Sequence, residues 1–127
     1  MRKVGMHNAT LFFDTYALFE IIRGNPKYDP YRHVTAVTSI FNLAELNYGL
    51  KKETTTETAN NFTEKFSSIL VQVTVEDVKN AMSLRLKHKD LSIPDAIGYT
   101  IAQRLNIKFL TGDEDFRYIK DVEFVKK

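Results

Sequence analysis

Two apolar runs in this sequence end directly in carboxylates. Leu11-Phe12-Phe13 is followed by Asp14, and the run Ile107 to Leu110 leads through Thr111-Gly112 into Asp113, Glu114 and Asp115. In open α/β sheets, sites form outside the carboxyl ends of strands, where strand order reverses. A first strand usually lies centrally in such a sheet, so these two strand ends can meet at one end of it. All-oxygen carboxylate clusters suit hard cations, Mg2+ or Mn2+. Such an ion activates water and shields phosphate charge. The chain has no Cys, and His7, His33 and His88 are scattered and read as surface residues. With neither thiol nor imidazole placed for covalent catalysis, activated water is the expected nucleophile.

Two further acids stand in informative places. Over Ile40 to Leu50, at 100° per residue, Ile40, Phe41, Leu43, Ala44, Leu46, Tyr48 and Leu50 cover most of the helix surface. The helix is expected to be largely buried, with Asn42, Glu45 and Gly49 as its main polar stripe. A buried Glu45 is costly to ionise unless a positive charge compensates it, and a divalent cation is one such compensation. Asp95 follows Ser92-Ile93-Pro94 at the start of another helix. Each acid also has a plain reading. Asp14 suits a helix N-cap, Ser92 with Asp95 makes a capping-box start with Pro in the first turn, Glu45 suits an ion pair, and Asp113 and Asp115 suit a solvated loop. The tract Gly112-Asp113-Glu114-Asp115 lacks EF-hand spacing. Residue by residue both readings stay open. What the plain ones leave unexplained is why two strand ends and an apolar helix all carry acids.

The elements that must position these residues follow from periodicity. Helices are expected over Thr15 to Arg23, Ile40 to Leu50, Glu53 to Ser68 (through Ala59, Phe62, Phe66 and Ile69), Val75 to Lys87 (through Val75, Val78, Met82 and Leu86), and from Ser92-Pro94 onward (through Ile93, Ile97, Ile101 and Leu105). Strands are expected at Leu11 to Phe13, Val34 to Val37, Ile69 to Val73, Ile107 to Leu110 and Val122 to Val125. Gly24, Pro26 and Pro30 break the chain after the first helix. Strands alternating with helices imply parallel βαβ units, hence an α/β fold with a sheet covered on both faces. The 127 residues form one expected domain, with residues 1–9 as a short lead-in. Leu, Ile, Val and Phe supply 38 of the 127, which excludes a disordered chain. No apolar run reaches the ~18 residues of a membrane span or the ~7–15 of a secretory signal, so no membrane is expected and a cytoplasmic protein is.

The segments Phe12-Phe13-Asp14-Thr15, Thr38 to Leu50 with Glu45 and Gly49, Leu91 to Ala102 with Asp95-Ala96, and Ile107 to Phe116 with Thr111-Gly112-Asp113-Glu114-Asp115-Phe116 stand in an order that resembles the PIN domain, and in length the VapC-type toxins of that family. The resemblance runs from about residue 11 to residue 125. It implies a three-layer α/β/α sandwich with a central, mostly parallel sheet. It implies a metal-dependent endoribonuclease, the toxin of a type II toxin–antitoxin pair. Asp14, Glu45, Asp95 and Asp113 are then the catalytic, metal-binding set, with Asp115 as an auxiliary acid and Thr15 and Thr111 as polar supports. A homodimer and a small antitoxin partner come with it. Phe62 and Phe66, with Ile21 and Ile22, are the surface expected to associate. Gly98, inside the helix after Asp95, departs from the pattern. A PIN-like fold kept only for binding RNA or protein is the alternative function. A receiver domain fits less well, since Asp14 stands alone after its strand, and a haloacid-type phosphatase wants an acid where Tyr16 stands.

Charge supports the first reading. The formal net charge is +2, with 18 basic and 16 acidic side chains. Setting aside the five acids of the candidate site leaves 18 basic against 11 acidic, a net +7. A basic body around an acidic, ion-holding cleft suits a phosphate backbone. Lys3, Arg23, Lys27, Arg32, Lys51, Lys52 and Arg117 are the candidate rim cations, and Tyr16, Tyr28, Tyr31 and Tyr48 read as packing or rim residues.

Overall fold

The computed structural model describes residues 9–127; most of the expected lead-in, and with it Lys3 and His7, lies outside the described residues. Strand β1 (Thr10–Phe13) runs into helix α1 (Thr15–Arg23), which stops at Gly24 in the left-handed conformation. A 3-10 segment (Pro26–His33) leads to β2 (Thr35–Val37) and α2 (Ile40–Glu53). Then come α3 (Thr56–Phe66), α4 (Val75–Lys87), α5 (Ile93–Leu105), β3 (Lys108–Thr111) and β4 (Val122–Phe124). The four strands are all parallel, in the order β2-β1-β3-β4. Among the described residues no helix is long and apolar enough to cross a membrane.

Side chains alternate across the central strands and so split the core in two. Leu11, Phe13 and Leu110 pack with Leu18, Leu43, Leu46 and Leu50 of α1 and α2. Phe12 and Phe109 pack with Ile97, Ile101 and Ala102 of α5, with Ala81 of α4 and with Phe116. Each fully buried Phe or Leu contributes roughly 1.5–3 kcal/mol relative to exposure. The sheet is thus covered on both faces, as a parallel sheet must be. Helix α4 is tied to α5 by an ion pair: Arg104 Nε donates to Asp77 Oδ1 at 2.9 Å, and Asp77 also closes a capping box with Thr74.

Several sequence-based expectations need correction. The run Ile69 to Val73 is not a strand. Only a Thr38–Leu70 bridge forms at the edge of β2, because Ile69 and Leu70 leave a 3-10 turn (Ser67–Ile69) and Val71 and Val73 turn into the α5-side core. The helix expected over Glu53 to Ser68 is divided at Thr54, whose N–H and hydroxyl both bond the Leu50 carbonyl and close α2. Helix α2 is not buried all round: Ile40, Phe41, Ala44 and Tyr48 face outward, since only one side of it meets α1 and the sheet. Phe62, Phe66, Ile21 and Ile22 are partly buried against the α1–α2 core, which leaves part of each side chain exposed. The stripe expected to bury α4 is also largely outside, with Val75 and Leu86 each 77% exposed, because the helix docks through Ala81 and the Asp77–Arg104 pair.

Gly98 has a steric reason. A Cβ there would sit 2.7 Å from Phe12 Cε1 and 3.1 Å from Phe109 Cε1. Those rings stack 5.6 Å apart at the centre of the α5-side core and are fully buried, so neither can yield. Helix propensity favours Ala by ~1 kcal/mol, but overpacking costs typically 1–3 kcal/mol. Gly98→Ala is expected to lower stability by about 1–2 kcal/mol in urea unfolding; a variant more stable than the parent would show that α5 is free to move off β1.

Candidate active site

The sheet order makes β1 and β3 neighbours while the chain leaves β1 toward β2 on one side and β3 toward β4 on the other. Their shared carboxyl end is therefore the switch point of the sheet. A cleft of about 650 Å3 opens there. Its lining includes Asp14, Thr15, Glu45, Asp95 and Asp113, from four different segments of the chain.

Each acid is held by local structure. Asp14 caps α1, its Oδ1 accepting the Ala17 N–H at 2.8 Å, while its own N–H bonds the Leu110 carbonyl and locks the end of β1 to β3. Its capping role and its place in the cleft coexist. Asp113 follows β3; its N–H donates to Thr111 Oγ1 and its Oδ1 accepts from the Asp115 N–H, both at 3.0 Å. Asp95 lies in the first turn of α5, where its N–H donates to Ser92 Oγ at 3.1 Å. Glu45 projects from the middle of α2, half-buried. Below them runs a buried polar layer. Thr38 Oγ1 donates to the Phe13 carbonyl at 2.7 Å, Ser39 Oγ donates to Asn42 Oδ1 at 2.6 Å, Asn42 Nδ2 donates to Thr15 Oγ1 and Thr15 Oγ1 to the Asn42 carbonyl, both at 3.3 Å. These bonds fix the start of α2 against the start of α1, and hence Glu45 against Asp14.

The acids crowd one another. Burial, with Asp95 and then Asp113 nearby, pushes the Asp14 carboxyl well above its ordinary value, against the opposing hydrogen bonds from Thr111 and Ala17. Burial, then the charges of Asp113 and Glu45, raise Asp95 to about 7. Asp115 is exposed and does not line the cleft, though burial and the charges of Asp113, Asp90 and Glu114 raise it somewhat. Thr111 lies beneath the acids, fully buried, and does not line the cleft either. Of the residues named from sequence, the structure thus gathers Asp14, Glu45, Asp95, Asp113 and Thr15 in one cleft, keeps Thr111 as their support, and leaves Asp115 outside.

Other cleft residues were missed or undervalued. Asp90 lines it, from a loop whose sequence gives no periodic signal. Thr38, Ser39 and Asn42 were legible only as a helix start and a polar stripe. Of the candidate rim cations, Arg23 and Lys52 line the cleft. Arg117 instead pairs with Glu114, Arg32 with Asp29 and the Ile21 carbonyl, and Lys27 reaches the Lys126 carbonyl.

The chain's sequence matches the PIN domain over residues 11–122. It belongs to the PIN-domain family. Solved structures with the same fold include a toxin–antitoxin complex from Klebsiella pneumoniae (22% identity, TM-score 0.68, covering 88% of this chain and 94% of that one). They also include VapBC2 from Rickettsia felis bound to a promoter DNA fragment (19%, 0.69, 92% and 98%) and VapBC-1 from nontypeable Haemophilus influenzae (16%, 0.68, 92% and 97%). No curated protein matches the sequence. At these identities the likeness is one of fold, and the PIN fold is what places the acids of this chain at the β1/β3 switch point.

The donors present fit a hard cation. The set is all carboxylate, and burial with like charges raises Asp14 and Asp95, with no Lys or Arg among the described residues bonded to either. Among the described residues no three such side chains already stand close enough to enclose an ion. An open array of oxygens fits Mg2+, which keeps several of its waters and takes only one or two carboxylates.

The raised carboxyls make a signed prediction. A group whose folded pKa exceeds its unfolded value contributes stability that is present below the unfolded value and lost as pH rises to the folded one. For Asp95 that window runs from about 4 to about 7. In chelator, Asp95→Asn is expected to melt with wild type near pH 4 and several degrees higher at pH 7.5, a gain on the order of 2 kcal/mol. A melting difference that stays constant across this range would remove the crowding argument.

Proposed function

We propose that this PIN domain is a metal-dependent endoribonuclease, the toxin of a toxin–antitoxin pair, acting in the cytoplasm. The observation that carries the reading is the convergence of Asp14, Glu45, Asp95 and Asp113 on one cleft at the switch point, with Asp14 raised by burial and then by Asp95, and Asp95 by burial and then by Asp113 and Glu45. A site that stores such repulsion gains stability when a cation enters it, and function commonly keeps a site of this kind at a cost in stability. The basic balance of the rest of the chain supports a polyanionic substrate.

Mg2+ or Mn2+, when bound, activates water and neutralises charge on the scissile phosphate. Asp14 and Asp113, on the two central strand ends, would hold the ion, with Glu45 and Asp95 completing the donor set from α2 and α5. Thr15 ties the start of α1 to α2 through Asn42, Thr111 bonds the Asp14 carboxyl from the end of β3, and Asp115 adds negative charge from outside. Water attacks phosphorus, the bond from phosphorus to the 3′ oxygen breaks, and the products carry a 5′-phosphate and a 3′-hydroxyl.

The partners of this reading are a second copy of the chain and a small antitoxin, by analogy with the toxin–antitoxin complexes that share the fold. Beside the partly buried Phe62 and Phe66, the more exposed apolar surface available to them includes Ile40 and Phe41 on α2 and Val75, Val78 and Leu86 on α4.

Purified protein is expected to cut RNA with Mg2+ or Mn2+ and not in excess chelator. Asp14→Asn, which retains a capping oxygen, is expected to lose cleavage on the order of a hundredfold or more, because several kcal/mol of charge stabilisation goes with the ion. Wild type should also gain thermal stability on adding Mn2+, by mass action on the native state, and the variant less. Robust cleavage in chelator, or an equal Mn2+ response in both proteins, would sink the proposal.

A further inference from the structure

The end of the cleft away from the acids has its own chemistry. Helix α2 carries Glu45, Tyr48, Gly49 and Lys52 into the same cleft. At 1.5 Å per residue, Tyr48 stands about 4.5 Å along the axis from Glu45 and Lys52 about 10.5 Å. Along one stripe, therefore, come a carboxylate, an aromatic ring and an ammonium.

Tyr48 is 65% exposed. Its ring takes no part in the aromatic packing of the core, and its hydroxyl bonds no other described residue. What lies on it is Lys52, whose Nζ is 4.5 Å from the ring centroid. A Tyr–Lys pair four residues apart on a helix is in itself an ordinary surface contact. Two features set this one apart. Arg23, the other cleft cation, is committed to Glu20 at 2.8 Å and Glu53 at 3.0 Å, while Lys52 forms no ion pair among the described residues. Among the described residues it is the one lining cation free to meet a phosphate. The cleft beside it is also kept apolar and close: Phe19 packs so tightly under Gly49 that a Cβ there would lie 2.4 Å from its ring.

We propose that Tyr48 and Lys52 form a nucleotide subsite, in which Tyr48 stacks the base next to the scissile phosphate and Lys52 moves from the ring to the adjoining phosphate. This rests on the nuclease reading and adds to it the residue that selects for unpaired nucleotides. The acids repel a polyanion, so a strand entering the cleft needs attraction outside them, and Lys52 supplies it. A base held in a duplex has no free face to offer a side chain, whereas an unpaired one stacks on an aromatic ring whatever its identity.

The test measures binding apart from cleavage. A labelled single-stranded oligoribonucleotide and a duplex of the same sequence are titrated by anisotropy, in chelator, with wild type, Tyr48→Ala, Tyr48→Phe and Lys52→Gln. Tyr48→Ala is expected to bind the single strand about tenfold more weakly and the duplex as before, with Tyr48→Phe like wild type. Lys52→Gln should lower the slope of log affinity against log salt by roughly 1. Melting temperatures like the parent's are expected, since both side chains are exposed. Unchanged single-strand binding by Tyr48→Ala, as when Tyr48 serves a protein contact instead, overturns the proposal; so does an equal loss on duplex, or a Tyr48→Phe as weak as Tyr48→Ala. Metal-dependent cleavage by wild type is scored separately. If wild type cuts RNA and Tyr48→Ala matches its KM, the subsite falls while the nuclease reading stands; if wild type neither binds nor cuts, both fall.

Discussion

Placing several carboxylates at one end of a parallel sheet sets charge repulsion against folding, and much of this structure can be traced to how that repulsion is borne. Asp14 is 1% exposed and Asp95 8% exposed, too dry for water to screen their charges well. Ionising them is opposed by burial first, then by Asp95 at Asp14 and by Asp113 and Glu45 at Asp95. The fold offsets part of this with donors aimed at the acids: the Ala17 N–H at Asp14, the Thr111 hydroxyl beneath it, and the Asp115 N–H at Asp113. Among the described residues it brings no Lys or Arg to pair with Asp14 or Asp95. Contrast Asp77, equally buried, where burial would raise the carboxyl but the Arg104 guanidinium prevails and holds it below its usual range. The one buried acid serves helix packing and has its cation built in; the others leave the place of a cation open.

Such a site needs a rigid support, because repulsion would otherwise spread the acids apart. The support is the layer of Thr38, Ser39, Asn42 and Thr15, all buried and all bonded to one another or to the end of β1. None of these side chains adds charge to the cleft. They bond backbone groups left open where β1 ends and α2 begins, and among the described residues no buried side-chain nitrogen or oxygen lacks a partner. Phe12 and Phe109, stacked on the opposite face, fix the same strands from below, and α5 reaches them closely enough to deliver Asp95 only because residue 98 is glycine.

The helices and central strands were legible from periodicity and from the acids at strand ends, because both express burial of one face against a sheet. Glu45 stood out because apolar residues surround it on its helix. What sequence could not show was which apolar faces go unpaired. The stripe of α4 and the outer side of α2 have core-like patterns, yet the core is filled before it reaches them, so Val75, Leu86, Ile40 and Tyr48 stay outside. The run Ile69 to Val73 has strand composition, but pairing needs a partner edge and only Thr38 supplies one. Asp90 escaped notice because a loop acid has no periodicity to mark it, and its place in the cleft depends on how α4 and α5 are joined.

The outward side of α2 then takes on a meaning that composition alone withheld. A helix buried all round would have carried Glu45 into the core and nothing else with it. Half-buried, the same helix presents Glu45 at the acid cluster and, one and two turns on, an exposed ring and an unpaired ammonium. The cleft is therefore polar in the electrical sense, anionic where the strands end and cationic toward the C-terminal turn of α2, where the helix dipole also favours Lys51 and Lys52. A polyanion can lie along such a gradient in few ways. On the proposed reading its reacting phosphate would reach the acids only with a cation there to receive it, and its next phosphate would be drawn outward by Lys52. That asymmetry follows from residues on a single helix and does not require the cleft to change shape.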